Sequence, residues 1–338
     1  HNVTKNTWYP TIQSAINAAS DGDTILVSPG EYAEAITLNK PNITVKSTNG
    51  AATTIISTPS GTLTTGVQVL ANMGTVTFDG FTVSNFTESG IVQSMANATG
   101  TAFIVKNNVI TPANGYLRNG IQVSGNGSQV IGNTVNGAPL TDSWSSSGIL
   151  AVNGSNILIE GNTISGGTLG LDIGIGVQSY SANAANVTIR NNTITNAGNG
   201  IRLEGGATTM TLTGVLIESN TIDGSNRAIN SQWVTLVDIE ARLNKFLDTA
   251  DEVLRISESS ALGSMDATHN WFGDALGPQN PIIGDIQVIP WCGDADCTFV
   301  VYPYTALGAD LQTAITNAPD YAGIYVPGPA TYSQSGGF

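Results

Sequence analysis

Apolar and polar residues alternate in short bursts along most of this chain, and the bursts return at a nearly constant interval. Seven segments share one phrase: Val105-Lys-Asn-Asn108-Val-Ile110, Val130-Ile-Gly-Asn133-Thr-Val135, Ile159-Glu-Gly-Asn162-Thr-Ile164, Ile189-Arg-Asn-Asn192-Thr-Ile194, Ile217-Glu-Ser-Asn220-Thr-Ile222, Ala241-Arg-Leu-Asn244-Lys-Phe246 and Ala267-Thr-His-Asn270-Trp-Phe272. Successive asparagines lie 25, 29, 30, 28, 24 and 26 residues apart. Five residues before the asparagine stand Phe103, Ile157, Val187, Val215, Ile239 and Met265, with Ser128 the one polar break. The slots three before and two after it are apolar in all seven phrases. Alternation with period two marks a half-buried strand, and a repeat of this length is one turn of a solenoid whose inward side chains stack coil upon coil.

The asparagine stands where the chain must bend. Its tolerance of left-handed backbone predicts that it occupies the corner itself, and stacked amides predict a hydrogen-bonded ladder through Asn108, Asn133, Asn162, Asn192, Asn220, Asn244 and Asn270. Nine residues after Asn192, Asn220 and Asn244 come Ile201, Ile229 and Val253, each opening a second short strand. Glycine often announces that strand, as in Gly120-Ile121-Gln122-Val123, Gly148-Ile149 and Gly200-Ile201-Arg202-Leu203. The expected fold is all-β: a single-stranded parallel β-helix with two or three strands per coil.

These units resemble the right-handed parallel β-helix repeats of the pectin-lyase-like superfamily. Thr11-Ile-Gln-Ser-Ala-Ile-Asn-Ala-Ala-Ser-Asp-Gly-Asp-Thr-Ile25 and the following Leu-Val-Ser-Pro-Gly-Glu-Tyr32 resemble the start of that fold. Ile12, Ala15, Ile16 and Ala19 share one face of a short helix that would cover the first coil. Ala267-Thr-His-Asn-Trp-Phe-Gly273, Gly277-Pro278 and Pro290-Trp291 resemble the last coil of secreted archaeal and bacterial surface proteins akin to the NosD group. The resemblance spans about residues 11–291 and implies a fold, not an activity, because lyases, hydrolases, epimerases, adhesins and structural proteins share the scaffold. The expected division is a capped β-helix over 1–291 and a C-terminal extension over 292–338. That extension repeats the opening: at a constant offset of 299, Gln13, Ala15, Ile16, Ala19, Asp21, Ile25 and Val27 meet identical residues at 312, 314, 315, 318, 320, 324 and 326. It reads as a tail that caps its own chain, docks on a neighbouring subunit, or begins a truncated repeat.

Composition narrows the partners. A formal charge of −14 with only 11% charged residues disfavours nucleic acid. No apolar stretch approaches the ~18 residues that span a bilayer. A chain that begins at His1 without an initiator Met reads as a processed product. Cys292 and Cys297 favour a disulfide over free thiols, and with it an oxidising exterior. Eight Asn-X-Ser/Thr sequons, at Asn2, Asn42, Asn85, Asn97, Asn126, Asn153, Asn186 and Asn191, agree with secretion as candidate glycosylation sites.

Candidate chemistry is sparse. Paired aspartates with a Gly-His-Gly motif, expected of a polygalacturonase-like hydrolase, are missing. Asp223, Asp248, Asp251, Glu252 and Arg255 could form a calcium-dependent lyase patch, against the plainer reading of a solvated acidic edge. Glu160, Arg190, Glu218 and Arg242 occupy one slot of successive coils and read as a salt-bridge ladder. His1 could chelate copper through its amine and ring, but His269, the other histidine, belongs to the last coil and should lie far away. Trp144, Tyr116 and Tyr180 stand outside the strand slots and could stack on sugars or fold back on the scaffold. No catalytic, cofactor or metal residue is assigned. The expected function is an extracellular structural or adhesive protein, a subunit of a surface layer, sheath or filament that self-associates through its C-terminal segment. The alternatives are a pectate-lyase-like polysaccharide enzyme and a non-catalytic binder of surface glycans.

Overall fold

Each turn of the chain lays down up to three short strands, one in each of three parallel sheets. The computed structural model describes all residues except 59–64, 98–99, 114–117, 138–145, 167–170, 208, 258–260, 304–310, 321 and 327–338. A first sheet of twelve strands runs from Thr24–Val27 to Ile286–Gln287, a second of nine from Gly30–Tyr32 to Lys245–Leu247, and a third of ten from Ile36–Leu38 to Ile282–Ile283. Every pairing within these three sheets is parallel and in register with the repeat, as in Ile159↔Ile189↔Ile217↔Ala241. This is a parallel β-solenoid with its core on the axis.

All three apolar slots of the phrase are buried. The polar break is buried too: Ser128 is fully enclosed, and its Oγ accepts the Phe103 N–H at 3.0 Å. A hydroxyl is tolerated there because a backbone donor satisfies it.

The asparagines form a continuous ladder. Nδ2 of Asn108, Asn133, Asn162, Asn192, Asn220 and Asn244 each donates to Oδ1 of the next asparagine at 2.9–3.1 Å. Their backbone N–H groups donate to the same oxygens. The expected corner position needs correction. The left-handed residue is the one before each ladder asparagine: Asn107, Gly132, Gly161, Asn191, Ser219, Leu243 and His269, with φ between +54° and +65°. That residue bends the chain from the first sheet into the second, so the following asparagine can turn inward and place its amide under the corner. Asn and Gly suit the bend itself, whereas Leu243 adopts it at φ +56° as a bulky exception.

A spine of glycines, Gly66, Gly90, Gly120, Gly148, Gly174 and Gly200, lets the second and third sheets approach. A methyl group on Gly174 would lie 2.6 Å from the Gly200 carbonyl oxygen and collide with the Ile194 side chain. The glycines noticed as strand openers are therefore space for the apolar residues of the neighbouring coil.

A helix closes the first end of the solenoid. Helix α1, Ile12–Ala18, buries Ile12, Ala15 and Ile16 over the first coil. Its N-terminal N–H groups at Ile12 and Gln13 donate to the Glu34 carboxylate at 2.8 and 3.0 Å. The Gln13 side chain acts as one more strand: Nε2 donates to Thr37 O at 3.1 Å and Oε1 accepts Thr37 N–H at 2.7 Å. At the other end, Cys292 N–H donates to Asn270 O, and Trp291–Cys292, Val300–Pro303 and Ala322–Tyr325 make a small fourth sheet. Cys292 and Cys297 are joined as a disulfide, S–S 2.00 Å. Helix α2, Leu311–Asn317, falls at the offset of 299 from α1. It buries Ala314, while Ile315 is 50% exposed.

Candidate functional site

The outward-facing residues of the third sheet form a column whose members come from successive coils: Gln68, Val92, Gln122, Leu150, Gly176, Arg202, Asn230 and Arg255. Parallel pairing spaces them at ~4.8 Å per coil. An open groove of about 740 Å³ runs over this column from Gln68 to Arg202, with Asn119, Gln178, Tyr180 and Glu204 along its sides. A cavity of this size falls within the range that accommodates small ligands.

Its amides are positioned by neighbours. Gln122 Nε2 donates to Gln93 O at 3.1 Å and its Oε1 accepts from Asn119 Nδ2 at 2.8 Å; Gln68 Nε2 donates to Thr37 Oγ1 at 3.0 Å. The charges are paired internally. Glu204, only 9% exposed, accepts from Arg202 Nε at 3.0 Å, Gln178 Nε2 at 2.8 Å and Gln232 Nε2 at 3.2 Å. Arg118 meets Glu88 at 3.2 Å across 30 residues of sequence. Donors of this kind compensate the desolvation of a buried carboxylate, and the groove holds two cations against two anions.

Tyr180 stands at a corner along the side of the groove, 61% exposed. Asn153 fixes that corner: its Oδ1 accepts the N–H groups of Tyr180, Ser181 and Ala182 at 2.7, 3.0 and 3.3 Å. The ring offers an apolar face beside a row of amides, an arrangement suited to a sugar. Of the three aromatic candidates in the sequence, Tyr116 and Trp144 lie outside the described residues.

Of the acidic-patch candidates, Asp251, Glu252 and Arg255 come together through ion pairs. Asp223 ends a second-sheet strand and Asp248 occupies a left-handed corner. Asp251 and Glu252 both pair with Arg227, Asp251 at 3.7 Å, and Glu252 also meets Arg255 at 3.6 Å. Among the described residues no group of three or more His, Cys, Asp and Glu could hold a metal ion. The charge slot does stack: Arg190 meets Glu160 at 2.9 Å and Arg242 meets Glu218 at 3.4 Å. The Glu160 hydrogen bond pushes the Arg190 pKa above its usual value, which makes this residue a poor base. The ladder starts earlier than the sequence suggested, with Asp79 between Lys46 and Lys106 at 3.4 and 3.8 Å. His1 stacks on Trp8 at 4.4 Å between ring centroids, and His269 Nδ1 lies 3.0 Å from Thr268 Oγ1, so the histidines keep separate company.

The sequons divide by burial. Asn2 is fully buried with Nδ2 on Asp23 at 2.7 Å, which removes it as an accessible acceptor in the folded chain. Asn42, Asn85, Asn126, Asn186 and Asn191 are exposed, Asn153 is half-buried, and the Asn97 side chain lies outside the described residues. Five of the eight, Asn42, Asn85, Asn153, Asn186 and Asn191, sit at left-handed corners, so corner chemistry accounts for much of the sequon supply.

The groove itself was missed. Its residues are the ones following the inward isoleucine of the second strand, as in Gly120-Ile121-Gln122 and Gly200-Ile201-Arg202. The available signal was that slot read down the coils.

A family model described as the right handed beta helix region matches residues 65–246. No curated protein matches the chain in sequence. Among solved structures, the Dettilon tailspike protein gp208 is similar at 15% identity and a TM-score of 0.51, over 84% of this chain and 66% of the tailspike chain. Pectate lyase Pel9A is similar at 15% identity and a TM-score of 0.46, over 83% of this chain and 72% of its own. The chain thus spans just under two thirds of the tailspike's length, and likenesses at this identity show the fold alone.

Proposed function

Because the chain belongs to the right-handed β-helix family, whose scaffold fixes no chemistry by itself, we propose that it is an extracellular structural or adhesive protein that holds glycan along its third sheet without cleaving it. One observation carries this reading: an open groove flanked by Tyr180 and lined with amides, in which Glu88, Arg118, Arg202 and Glu204 are bound to one another. Glycoside cleavage needs a carboxyl or basic group available for proton transfer at the scissile bond, and these four side chains are each engaged in an ion pair. The disulfide is compatible with an oxidising exterior.

The test is a glycan array followed by recovery of the bound sugar. Adhesion predicts binding that Tyr180→Ala weakens about tenfold, with the glycan recovered at its original length. Unsaturated, ultraviolet-absorbing ends would replace adhesion with lyase activity. Self-assembly is a second reading, favoured by the half-exposed Ile315 on α2. It predicts filaments or sheets in negative-stain electron microscopy that disperse in Ile315→Asp.

A further inference from the structure

The groove carries information about its ligand beyond its size. Read along the axis, the outward column alternates in chemistry: Gln68, then Val92, then Gln122, then Leu150. Amide and apolar side chains therefore each recur every second coil, ~10 Å apart at the spacing of parallel strands. That is close to the length of two sugars in an extended glycan. After Leu150 the column opens at Gly176, where a methyl group would lie 2.7 Å from Leu150 Cδ1. The leucine thus leans over the missing side chain and presents its 7% exposed edge there. Beyond it stands Arg202 with Glu204, while Tyr180 flanks the Gly176 coil at its corner.

The charge of the groove is the second observation. The protein has a net charge of −14, yet the four charged residues lining the groove, Glu88, Arg118, Arg202 and Glu204, cancel. Their pairing leaves no surplus cation directed at a ligand, and the field of the whole chain repels polyanions. A polyuronate entering here would lose hydration from its carboxylates and gain no excess positive charge in exchange. A neutral glycan would bring hydroxyl or amide groups to Gln68 and Gln122 and a methyl group to Val92 and Leu150, and each of those contacts is complementary.

We infer that the third-sheet groove takes a neutral, extended glycan lying along the solenoid axis, with a two-sugar repeat that bears one acetamido or other methyl-bearing group per repeat. This rests on the glycan-binding reading above and assigns its ligand class. Gln122 and Leu150 are the specificity residues. The glutamine reads the hydroxylated sugar, and the leucine reads the acylated one.

Calorimetry with four hexasaccharides tests it: poly-N-acetyllactosamine, which is neutral and acylated on alternate sugars; hyaluronan, which keeps the alternate acetamido group but adds carboxylates; cellohexaose, neutral without acyl groups; and hexagalacturonate. The expected order places the first above all others by about tenfold or more. Gln122→Ala and Leu150→Asn should each remove about fivefold to tenfold of that affinity; Gln122→Ala should leave the circular dichroism spectrum and melting temperature of the native protein, whereas Leu150→Asn, at a side chain only 7% exposed, should lower the melting temperature. Tighter binding of hyaluronan or hexagalacturonate overturns the neutral class while leaving adhesion intact. Equal binding of cellohexaose overturns the acyl requirement. Failure of all four together with an empty glycan array overturns the inference and the adhesive reading at once. Should Leu150→Asn unfold, Leu150→Met keeps the volume, and an unchanged preference in Gln122→Ala alone suffices to reject the assignment.

Discussion

Residues 12–27 and 311–326 carry the same pattern, identical at seven positions, and both form a short helix followed by a strand. Their surroundings differ. Ile16 is fully buried on the first coil, whereas Ile315 is half-exposed. Gln13 binds both backbone groups of Thr37, whereas Gln312 faces solvent. Asp23 is buried in a net of donors, whereas Ala322 takes its place in the second copy. Local sequence specifies the helix and strand in both copies, but stability comes from the coil beneath the first.

Substituting the paired positions should expose that asymmetry. Ile16→Ala is expected to cost about 2–5 kcal/mol in denaturant unfolding through lost burial and a cavity, against about 0.5 kcal/mol or less for Ile315→Ala. Equal costs would mean that the second helix is packed as tightly as the first. Next in size, Gly174→Ala should cost about 1–3 kcal/mol by overpacking against the Gly200 backbone. Gly323→Ala, whose methyl would approach the partly exposed Phe299 ring at 3.2 Å and Val301 at an ordinary 3.5 Å, with no backbone atom that close, should cost less. Gln13→Ala should cost about 1–3 kcal/mol, since it strands both Thr37 backbone groups; Gln312→Ala should leave the melting temperature unchanged.

The smallest effect is pH-dependent. The Ser20 backbone N–H, then the Asn2 amide and Lys5, hold the Asp23 pKa below its ordinary 3.8. A carboxylate with a depressed folded pKa stabilises fully above the unfolded value, and that contribution is lost as pH falls from the ordinary carboxylate range through the lowered one. The stability gap between the native protein and Asp23→Asn should therefore be constant near neutrality and close at acid pH in thermal melts. A gap that widens with acid would contradict the donor net. The second copy, with Ala322, offers no counterpart.

Much of the scaffold was legible because the inward positions repeat. The apolar slots, the asparagine ladder and the α1 face each recur with a chemical constraint that a single sequence displays. The left-handed corner was misplaced by one residue because Asn107-Asn108 and Asn191-Asn192 offer two asparagines each, and only the backbone shows which one bends. The groove was hidden for a different reason. Gln68, Gln122 and Leu150 obey no inward constraint, and they become neighbours only when coils of 24 to 30 residues are stacked. Trp233, 49% exposed at a left-handed φ of +52°, escaped for the same reason.

The ladder has a further consequence for how such a chain can change. Each rung passes its hydrogen bond in the same direction, and the rungs keep 2.9–3.1 Å although the sequence between them varies from 24 to 30 residues. Loop length is thus uncoupled from axial position. Corners can grow or shrink without moving any other coil, whereas gaining or losing one complete interval shifts every later residue by a single step. The fold keeps its axial spacing by counting asparagines, which leaves its outer surface free to diversify.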